Sequence, residues 1–358
     1  MTLAAPDARL IGGRALRSPL LVLGVLAAAL VITVAAAASV GAAGIPMRRL
    51  PAALGLAPGD TATARDQLVL WSIRLPRIAL AIMIGALLAA GGTVMQGLFR
   101  NPLADPALAG IAPGAGFASA LAIVVGDRML ASSRTVIPFE LLPLAAIAGA
   151  LTATVILYRL ATRHGRTSIA TLLLAGIAIG ALANAGIGFL VFLADDRQLR
   201  DITFWLLGSL GGATWSKVAA IAPFVALMLA GLPFIARGLD LIVLGEAEAF
   251  HMGIAVERLK RIAIVLVAAT TGAAVSVAGV IGFVGIVVPH LLRLVIGPGH
   301  RLLLPAAVCL GATLLLLADT FARIVASPAE LPIGIVTAAI GAPFFLSLLL
   351  RQRALGGG

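Results

Sequence analysis

The sequence predicts an all-α integral membrane protein with about ten transmembrane helices. Of its 358 residues, 61% are hydrophobic and only 11% are charged, and the mean hydropathy is +1.11. Soluble domains carry about 25% charged residues, so most of this chain faces something other than water. About 20 apolar residues cross a bilayer as a helix. Nine long stretches contain no Asp, Glu, Lys or Arg: 18–47, 78–99, 106–126, 141–158, 167–194, 218–236, 262–292, 302–318 and 331–350.

Two of these stretches need comment. The stretch 262–292 is too long for one straight crossing, and Gly279, Gly282, Gly285 and Pro289 lie within it, so we divide it in two and count ten spans. The first stretch could be a secretory signal peptide. Its apolar run covers 19–44, longer than the roughly 7–15 residues of a signal peptide's hydrophobic region, and we expect it to remain as a membrane helix.

The charge distribution indicates orientation. With the N-terminus in the cytoplasm, ten crossings place 15 of the 26 Lys and Arg residues on the cytoplasmic side, the direction that the positive-inside rule expects. The net charge of +11 is spread over the helix ends instead of one soluble face. We therefore expect membrane lipid around the chain and no nucleic-acid partner.

Three hydrophilic intervals separate the spans: 48–77, 194–215 and 237–261. In the third, Glu246 and Glu248 suit the start of a short helix, and Gly253 suits its C-terminal cap. A plain solvated connection is the alternative, but too many apolar side chains are present for a free linker. We therefore predict a docking surface that includes Leu241, Val243, Leu244, Ala247, Phe250, Met252 and Ile254.

Small residues recur at helical spacing within the spans. Close backbone contact through such residues drives much of helix packing in lipid. Two polar residues, Gln96 and Asn184, share these small-residue faces and could line a conduit instead of packing. The two faces are Gly85, Ala89, Gly92 and Gln96, and Gly176, Gly180, Asn184 and Gly188.

The sequence does not match the known motifs for binding nucleotides or metal ions. A phosphate-binding P-loop needs a Gly-Lys pair, and neither lysine, Lys217 or Lys260, follows a glycine. The four histidines have no close metal-ligand spacing, and the single cysteine, Cys309, lies in an apolar span. We expect no catalytic residue, no metal site and no cofactor bound by this chain.

A short acidic cluster offers an alternative class of function. Asp195, Asp196 and Asp201 resemble the aspartate motifs with which intramembrane prenyl-transfer enzymes hold magnesium. Arg197 and Arg200 interleave them, and no second aspartate-rich motif follows. Solvated loop charge is the better interpretation.

The ordered motifs of the chain closely resemble those of ABC-importer permeases that take up ferric siderophores, haem and vitamin B12. The resemblance covers about 70–353 and departs at Ala112, where the family usually has a serine. It rests on Arg74-Leu-Pro-Arg77, Arg100-Asn-Pro-Leu-Ala-Asp-Pro106, Phe204-Trp205, Gly279-Val-Ile-Gly-Phe-Val-Gly285, Pro289-His290, Asp319, Arg323, Glu330-Leu-Pro-Ile-Gly334 and Gly341-Ala-Pro-Phe344.

The resemblance implies a type II ABC importer permease in the bacterial inner (cytoplasmic) membrane. It implies one multi-pass permease domain at 19–353 between short tails at 1–18 and 354–358, and a dimer of two copies with the pathway at their interface. Two cytoplasmic ATPase subunits, which bind ATP and Mg, would sit on the loop 239–261. A periplasmic binding protein would deliver the cargo.

The resemblance also implies site residues. Acidic residues of the binding protein would dock on Arg74, Arg77 and Arg323, which the predicted topology places on the exposed outer face. The ATPase coupling loop would use Gly245, Glu246, Ala249, His251, Met252 and Gly253, and pathway candidates are Gln96, Asn101 and Asn184. The segment 204–215 is most similar to haem permeases, so haem is the favoured cargo, with siderophore or cobalamin as alternatives.

A proton- or sodium-driven secondary transporter is the main rival class. It would need a buried carboxylate as its coupling group. Asp319 is the acidic candidate deep in a span, and Arg323, one turn later, offers it a partner. A structural ion pair at the outer helix end is the favoured interpretation.

Overall fold

The computed structural model describes residues 18–41, 44–56, 63–106, 110–126, 141–164, 166–327 and 329–356. Most of the predicted N-terminal tail and the last two residues lie outside this description. The described chain is almost entirely helical, with one antiparallel hairpin of β1 (Thr162–Arg163) and β2 (Arg166–Thr167). Its α-helices are α1 (Pro19–Ser39), α2 (Leu50–Ala53), α3 (Ala64–Leu68), α4 (Leu75–Phe99), α5 (Ile111–Leu121), α6 (Leu141–Ala161), α7 (Ile169–Leu193), α8 (Asp196–Leu207), α9 (Trp215–Leu244), α10 (Glu246–His251), α11 (Val256–Ala278), α12 (Val284–Ile296), α13 (His300–Val325) and α14 (Ile333–Gly356).

Each of the ten predicted membrane segments contains a helix. Seven helices of the described chain are long and apolar enough to cross a membrane, judged by length and composition. Three more apolar helices are shorter: Ile111–Gly126, Val284–Ile296 and Ile333–Ser347. The prediction of an all-α integral membrane fold is confirmed.

Several helices begin where the sequence supplies a cap. Ser18, Ser168 and Thr214 each accept a backbone N–H of the first turn of α1, α7 and α9. Asp195 and Gln198 form a reciprocal capping box at the start of α8. These local signals place the helix starts close to the predicted loop boundaries.

The second half of the predicted hydrophilic interval 48–77 is helical, so the predicted start of the second membrane span is wrong. A continuous helix of 36 residues runs from Ala64 to Phe99, and its segment Val69–Arg74 is π-helical. At the other end of the bundle, α9 runs to Leu244 and so takes up the first residues of the predicted interval 237–261. The composition was misleading because polar side chains in these segments find partners inside the protein, which removes the cost of burying them.

The predicted break within 262–292 is confirmed. Helix α11 ends at Ala278, and Gly279 and Phe283 both have positive φ, 71° and 69°, before α12 begins at Val284. A Cβ on Gly208 would lie 2.5 Å from the carbonyl oxygen of Val280, so the end of α8 covers this irregular segment. Non-helical backbone at membrane depth requires such burial within protein.

Helix α4 forms the centre of the bundle and packs against α9, α11, α12 and α13. A Cβ on Gly85 would lie 2.3 Å from the carbonyl oxygen of Gly311, and one on Gly92 would lie 2.1 Å from that of Gly285. Backbones approach this closely only where side chains are absent, so the predicted packing role of the small residues on α4 is confirmed. By contrast, fewer than a third of the residues in the apolar windows of α1, α7 and α9 are buried.

Candidate functional site

A cluster of charged side chains lies at the end of the bundle opposite α10. Asp319 of α13 is fully buried, and its two carboxylate oxygens lie 3.0 and 3.2 Å from Nε of Arg77 on α4. Arg323 Nε lies 3.1 Å from Asp319 Oδ2, and Arg77 Nη1 lies 2.9 Å from Glu330 Oε1. In the predicted topology this is the outer end. The cluster ties α4 and α13 to the loop before α14.

Arg74 and Arg323 also reach the end of α1. Arg74 donates from Nη1 to the carbonyl of Ala38, and Arg323 Nη1 lies 3.4 Å from the carbonyl of Val40. The structure therefore brings the three predicted docking arginines together, and we call Arg74, Arg77 and Arg323 the arginine triad. It corrects their expected exposure, because Arg74 is 3% and Arg77 8% exposed. These guanidinium groups are ion-paired or hydrogen-bonded to carboxylates and backbone carbonyls of the chain itself.

The predicted short helix is α10, at the opposite end of the bundle, which the predicted topology places in the cytoplasm. Gly245, with φ 138°, precedes it, and Gly253, with φ 84°, follows in the turn to α11. Leu244, Phe250 and Met252 are exposed beside it, and His251 is exposed as well. Ala249 has no exposed surface, so its methyl group fixes α10 on the bundle instead of facing outward.

Sequence reasoning missed the residues that hold this end together. Lys260 of α11 is 2% exposed and pairs with Glu246 of α10 and with Glu257 of its own helix. On α13, the backbone N–H and Nδ1 of His300 lie 2.7 and 2.8 Å from Oδ1 of Asp240 near the end of α9. The i, i+3 spacing of Glu257 and Lys260 was the one local signal available.

The pathway candidates fall in three different environments. Gln96 is buried, donates to the carbonyl of Gly285 at 3.0 Å and accepts from Arg293, so both ends of its amide are bonded between α4 and α12. Asn101 is half-buried, and its Oδ1 accepts the N–H of Leu103 at 2.9 Å. Asn184 is exposed on the outward face of α7. The backbone N–H of Asn101 donates to the carbonyl of Gln96 at 3.2 Å, so these two residues are neighbours, whereas Asn184 lies on a different helix.

The acidic cluster at 195–201 has structural partners. Asp195 caps α8, accepting the N–H of Gln198 at 2.8 Å. Asp201 lies 4.0 Å from Arg197 in an exposed i, i+4 pair. Among the described residues, no group of three or more His, Cys, Asp or Glu side chains could hold a metal ion. These contacts support the interpretation as helix-capping and surface charge.

A cavity of about 340 Å³ opens beside α8, near the outer end. Phe204, Trp205 and Ser209 line it together with Lys217 and Glu330. The lining therefore combines aromatic surface with charged groups, and it comes partly from the 204–215 segment on which the cargo preference rests.

Comparison with known proteins agrees with this architecture. The family model of the FecCD transport family matches residues 26–351. The hemin transport system permease protein HmuU of Yersinia pestis is 44% identical over 345 residues, which cover 94% of this chain and 97% of that protein. The cobalamin import system permease protein BtuC of Halobacterium salinarum is 44% identical over 287 residues, covering 80% of this chain and 74% of that protein.

A solved structure extends the comparison to the fold. It is described as a metal-chelate type ABC transporter in an inward-facing conformation, and it matches with a TM-score of 0.81 and 31% identity. The match covers 93% of this chain and 100% of that one. The fold is therefore that of a type II ABC importer permease, and the chain is a multi-pass membrane protein. With the family model matching nearly its whole length, the chain belongs to the FecCD transport family.

Proposed function

We propose that the chain is the permease subunit of an ATP-driven importer that moves haem from the periplasm to the cytoplasm across a bacterial inner membrane. The observation that carries the proposal is the match over residues 26–351 to a transport family, together with a haemin permease relative that aligns over 94% of the chain. The identity is the same, 44%, to a cobalamin permease over a shorter span. Cobalamin and ferric siderophores are therefore the alternative cargoes.

The free energy of ATP binding and hydrolysis would be transmitted to the permease at α10. Phe250 and Met252 are exposed apolar side chains beyond the end of α9, and Leu244, the last residue of α9, is exposed next to them in the sequence. Exposed apolar side chains that group together mark interaction sites. Two ATPase subunits, which bind ATP and Mg, would dock here, one on each permease, and this chain would perform no catalysis itself.

The cargo would arrive at the outer end on a binding protein. The arginine triad lies together there, and guanidinium groups form bidentate pairs with carboxylates. The side chains of Arg77 and Arg323 are exposed to a similar small extent, 10% and 13%, and Arg74 is buried, so a docking carboxylate would first meet Arg77 or Arg323. It would then compete with Asp319 and Glu330 for the triad.

A second copy of the chain would complete the pathway. Helix α7 exposes Leu174, Leu182 and Phe192 along with Asn184, and no other residue of the described ranges covers them. A polar side chain on such a surface is satisfied by an aqueous conduit or by a partner helix. Alternation between outward and inward openings would follow if ATP and cargo each bind the two states with different affinity.

Reconstitution tests the proposal. Liposomes would contain the permease and its ATPase, with ATP inside and binding protein outside, and uptake of haem, cobalamin and a ferric siderophore would be measured separately. We expect ATP-dependent uptake of haem that persists with a protonophore. Uptake of cobalamin alone would reassign the cargo. Uptake that ignores ATP but collapses with the protonophore would show a secondary transporter and refute the proposal.

A further inference from the structure

We infer that Lys260 is a positioning residue that transmits movement of the docking helix α10 to α7 through the hairpin β1–β2. The inference rests on the proposed function, because it assumes that α10 receives the ATPase. It adds a specific mechanical link, built from one buried cation, between that contact and the helix that carries the exposed Asn184.

Lys260 uses its three ammonium donors on three different elements. Its Nζ lies 2.7 Å from Glu246 Oε2 in α10, 3.0 Å from Glu257 Oε1 in α11 and 3.1 Å from the carbonyl oxygen of Thr167 in β2. A lysine ammonium has three donors and no acceptor, so every donor is satisfied. Because the side chain is 2% exposed, little water is present to replace these partners if they separate.

Both backbone polar groups of Thr167, its N–H and its carbonyl, are hydrogen-bonded to side chains of α11. Its carbonyl accepts from Lys260, and its N–H donates to Glu257 Oε2 at 3.0 Å. Its hydroxyl lies 3.1 Å from that of Thr162 across the hairpin. The hairpin is therefore bonded to the first turns of α11 by the side chains of Lys260 and Glu257, and Lys260 is also paired with Glu246 of α10.

The hairpin leads directly into α7. Ser168 follows Thr167 and caps α7 by accepting the N–H of Thr171 at 3.3 Å. A displacement of Thr167 must therefore move the N-terminus of α7. Within the described residues, the hydrogen bonds and ion pairs that reach from α10 to the hairpin pass through Lys260. A shift of Glu246 with a docked ATPase would thus be passed to α7 through one side chain.

The alternative is that the cluster only stabilises the cytoplasmic end. The two roles differ in what they predict for coupling. A purely stabilising cluster affects yield and unfolding but leaves the cargo moved per ATP unchanged in the protein that folds. A coupling link leaves ATP hydrolysis in place while the cargo moved per ATP falls.

The test variant is Glu246→Gln, which removes the charge on α10 while Lys260 keeps Glu257 and Thr167. Glu246 is 37% exposed, so the change leaves no bare buried charge. The matched control is Arg258→Gln, which removes an exposed charge from α11 in the same turn as Lys260. Lys260→Met is the stronger second variant. The readouts are co-purification with the ATPase, ATPase rate and haem uptake per ATP in liposomes.

The Glu246 carboxylate is assigned to Lys260, 2.7 Å away, instead of to the predicted ATPase contact. We therefore expect Glu246→Gln to keep the ATPase bound and active while uptake per ATP falls about fivefold or more, the lower end of typical coupling effects. Arg258→Gln should match the wild-type chain. An unchanged ratio in Glu246→Gln would overturn the inference. So would loss of ATPase binding in this variant, because Glu246 would then contact the ATPase instead of anchoring Lys260. If Lys260→Met does not fold, Glu246→Gln alone decides.

A distance measurement provides a second test. Spin labels would be placed at the exposed positions Arg163 and Glu248, in a chain with Cys309 replaced by serine. In the wild-type complex we expect the separation of the labels to stay constant between nucleotide-free and ATP-trapped states, because hairpin and α10 move together. A separation that changes with nucleotide would overturn the inference.

These outcomes are distinguishable from failure of the proposed function. If α10 is not the ATPase contact, replacing the exposed Phe250 by serine will leave ATPase binding intact. If α10 is the contact and Lys260 is no link, Phe250→Ser will disrupt binding while Glu246→Gln transports normally.

Discussion

Replacing Asp319 by asparagine should destabilise the outer end of the bundle while uptake stays driven by ATP. The carboxylate is fully buried and lies within 3.2 Å of Nε of both Arg77 and Arg323. Breaking a buried ion pair by removing one partner costs about 3–5 kcal/mol. Arg77 retains Glu330, and Arg323 retains the hydroxyl of Thr320 at 3.2 Å. We therefore expect a loss at the lower end, about 3 kcal/mol of the free energy of unfolding.

The assay is unfolding of the detergent-solubilised protein in mixed micelles of increasing denaturing detergent. The matched control is Asp201→Asn, which removes the exposed partner of Arg197 at 4.0 Å and should cost about 1 kcal/mol or less. Equal stability of the Asp319→Asn variant and the wild-type chain would refute the structural role of the cluster. If instead the substitution abolished uptake that had depended on a proton gradient, Asp319 would be the coupling carboxylate of a secondary transporter.

Three further changes test other parts of the structure. Replacing Arg323 by glutamine should weaken binding of the cargo-loaded binding protein, measured by pull-down, while ATPase assembly persists because Asp319 keeps Arg77 as its partner; undiminished binding would remove the docking assignment. Proline at Ala249 should cost about 3 kcal/mol in a helix interior by removing the 3.0 Å bond from its N–H to the carbonyl of Gly245, and should uncouple ATP hydrolysis from uptake. Normal uptake in that proline variant would place the docking surface elsewhere. Alanine at Gly92 should lower the unfolding midpoint, since its Cβ would lie 2.1 Å from the Gly285 carbonyl oxygen, with a typical overpacking cost of about 1–3 kcal/mol. Alanine at Gly188, where a Cβ meets nothing within 4 Å, is its control, and equal midpoints would contradict the packing.

The membrane fold and the short cytoplasmic helix were accessible from the chain alone. Spanning a bilayer depends on the composition of about 20 consecutive residues, so each apolar stretch could be recognised without its neighbours. The helix α10 could be recognised because Glu246, Glu248 and Gly253 act within one or two turns. Both signals depend on residues that are close together in the sequence, so they can be recognised without the tertiary structure.

The contacts between distant segments could not be read in this way. Arg77 and Asp319 are separated by 242 residues, and Lys260 and the Thr167 carbonyl by 93. From composition alone, an arginine or lysine is taken to be a solvated charge that marks the boundary between a membrane span and a loop. Whether it is buried depends on which carboxylates and carbonyls the packed helices bring within about 3 Å, because only such partners offset the cost of removing the charge from water. The positions of the apolar membrane helices thus follow from the order of residues, whereas the burial of the arginines and the three-way bonding of Lys260 follow only from how the helices pack.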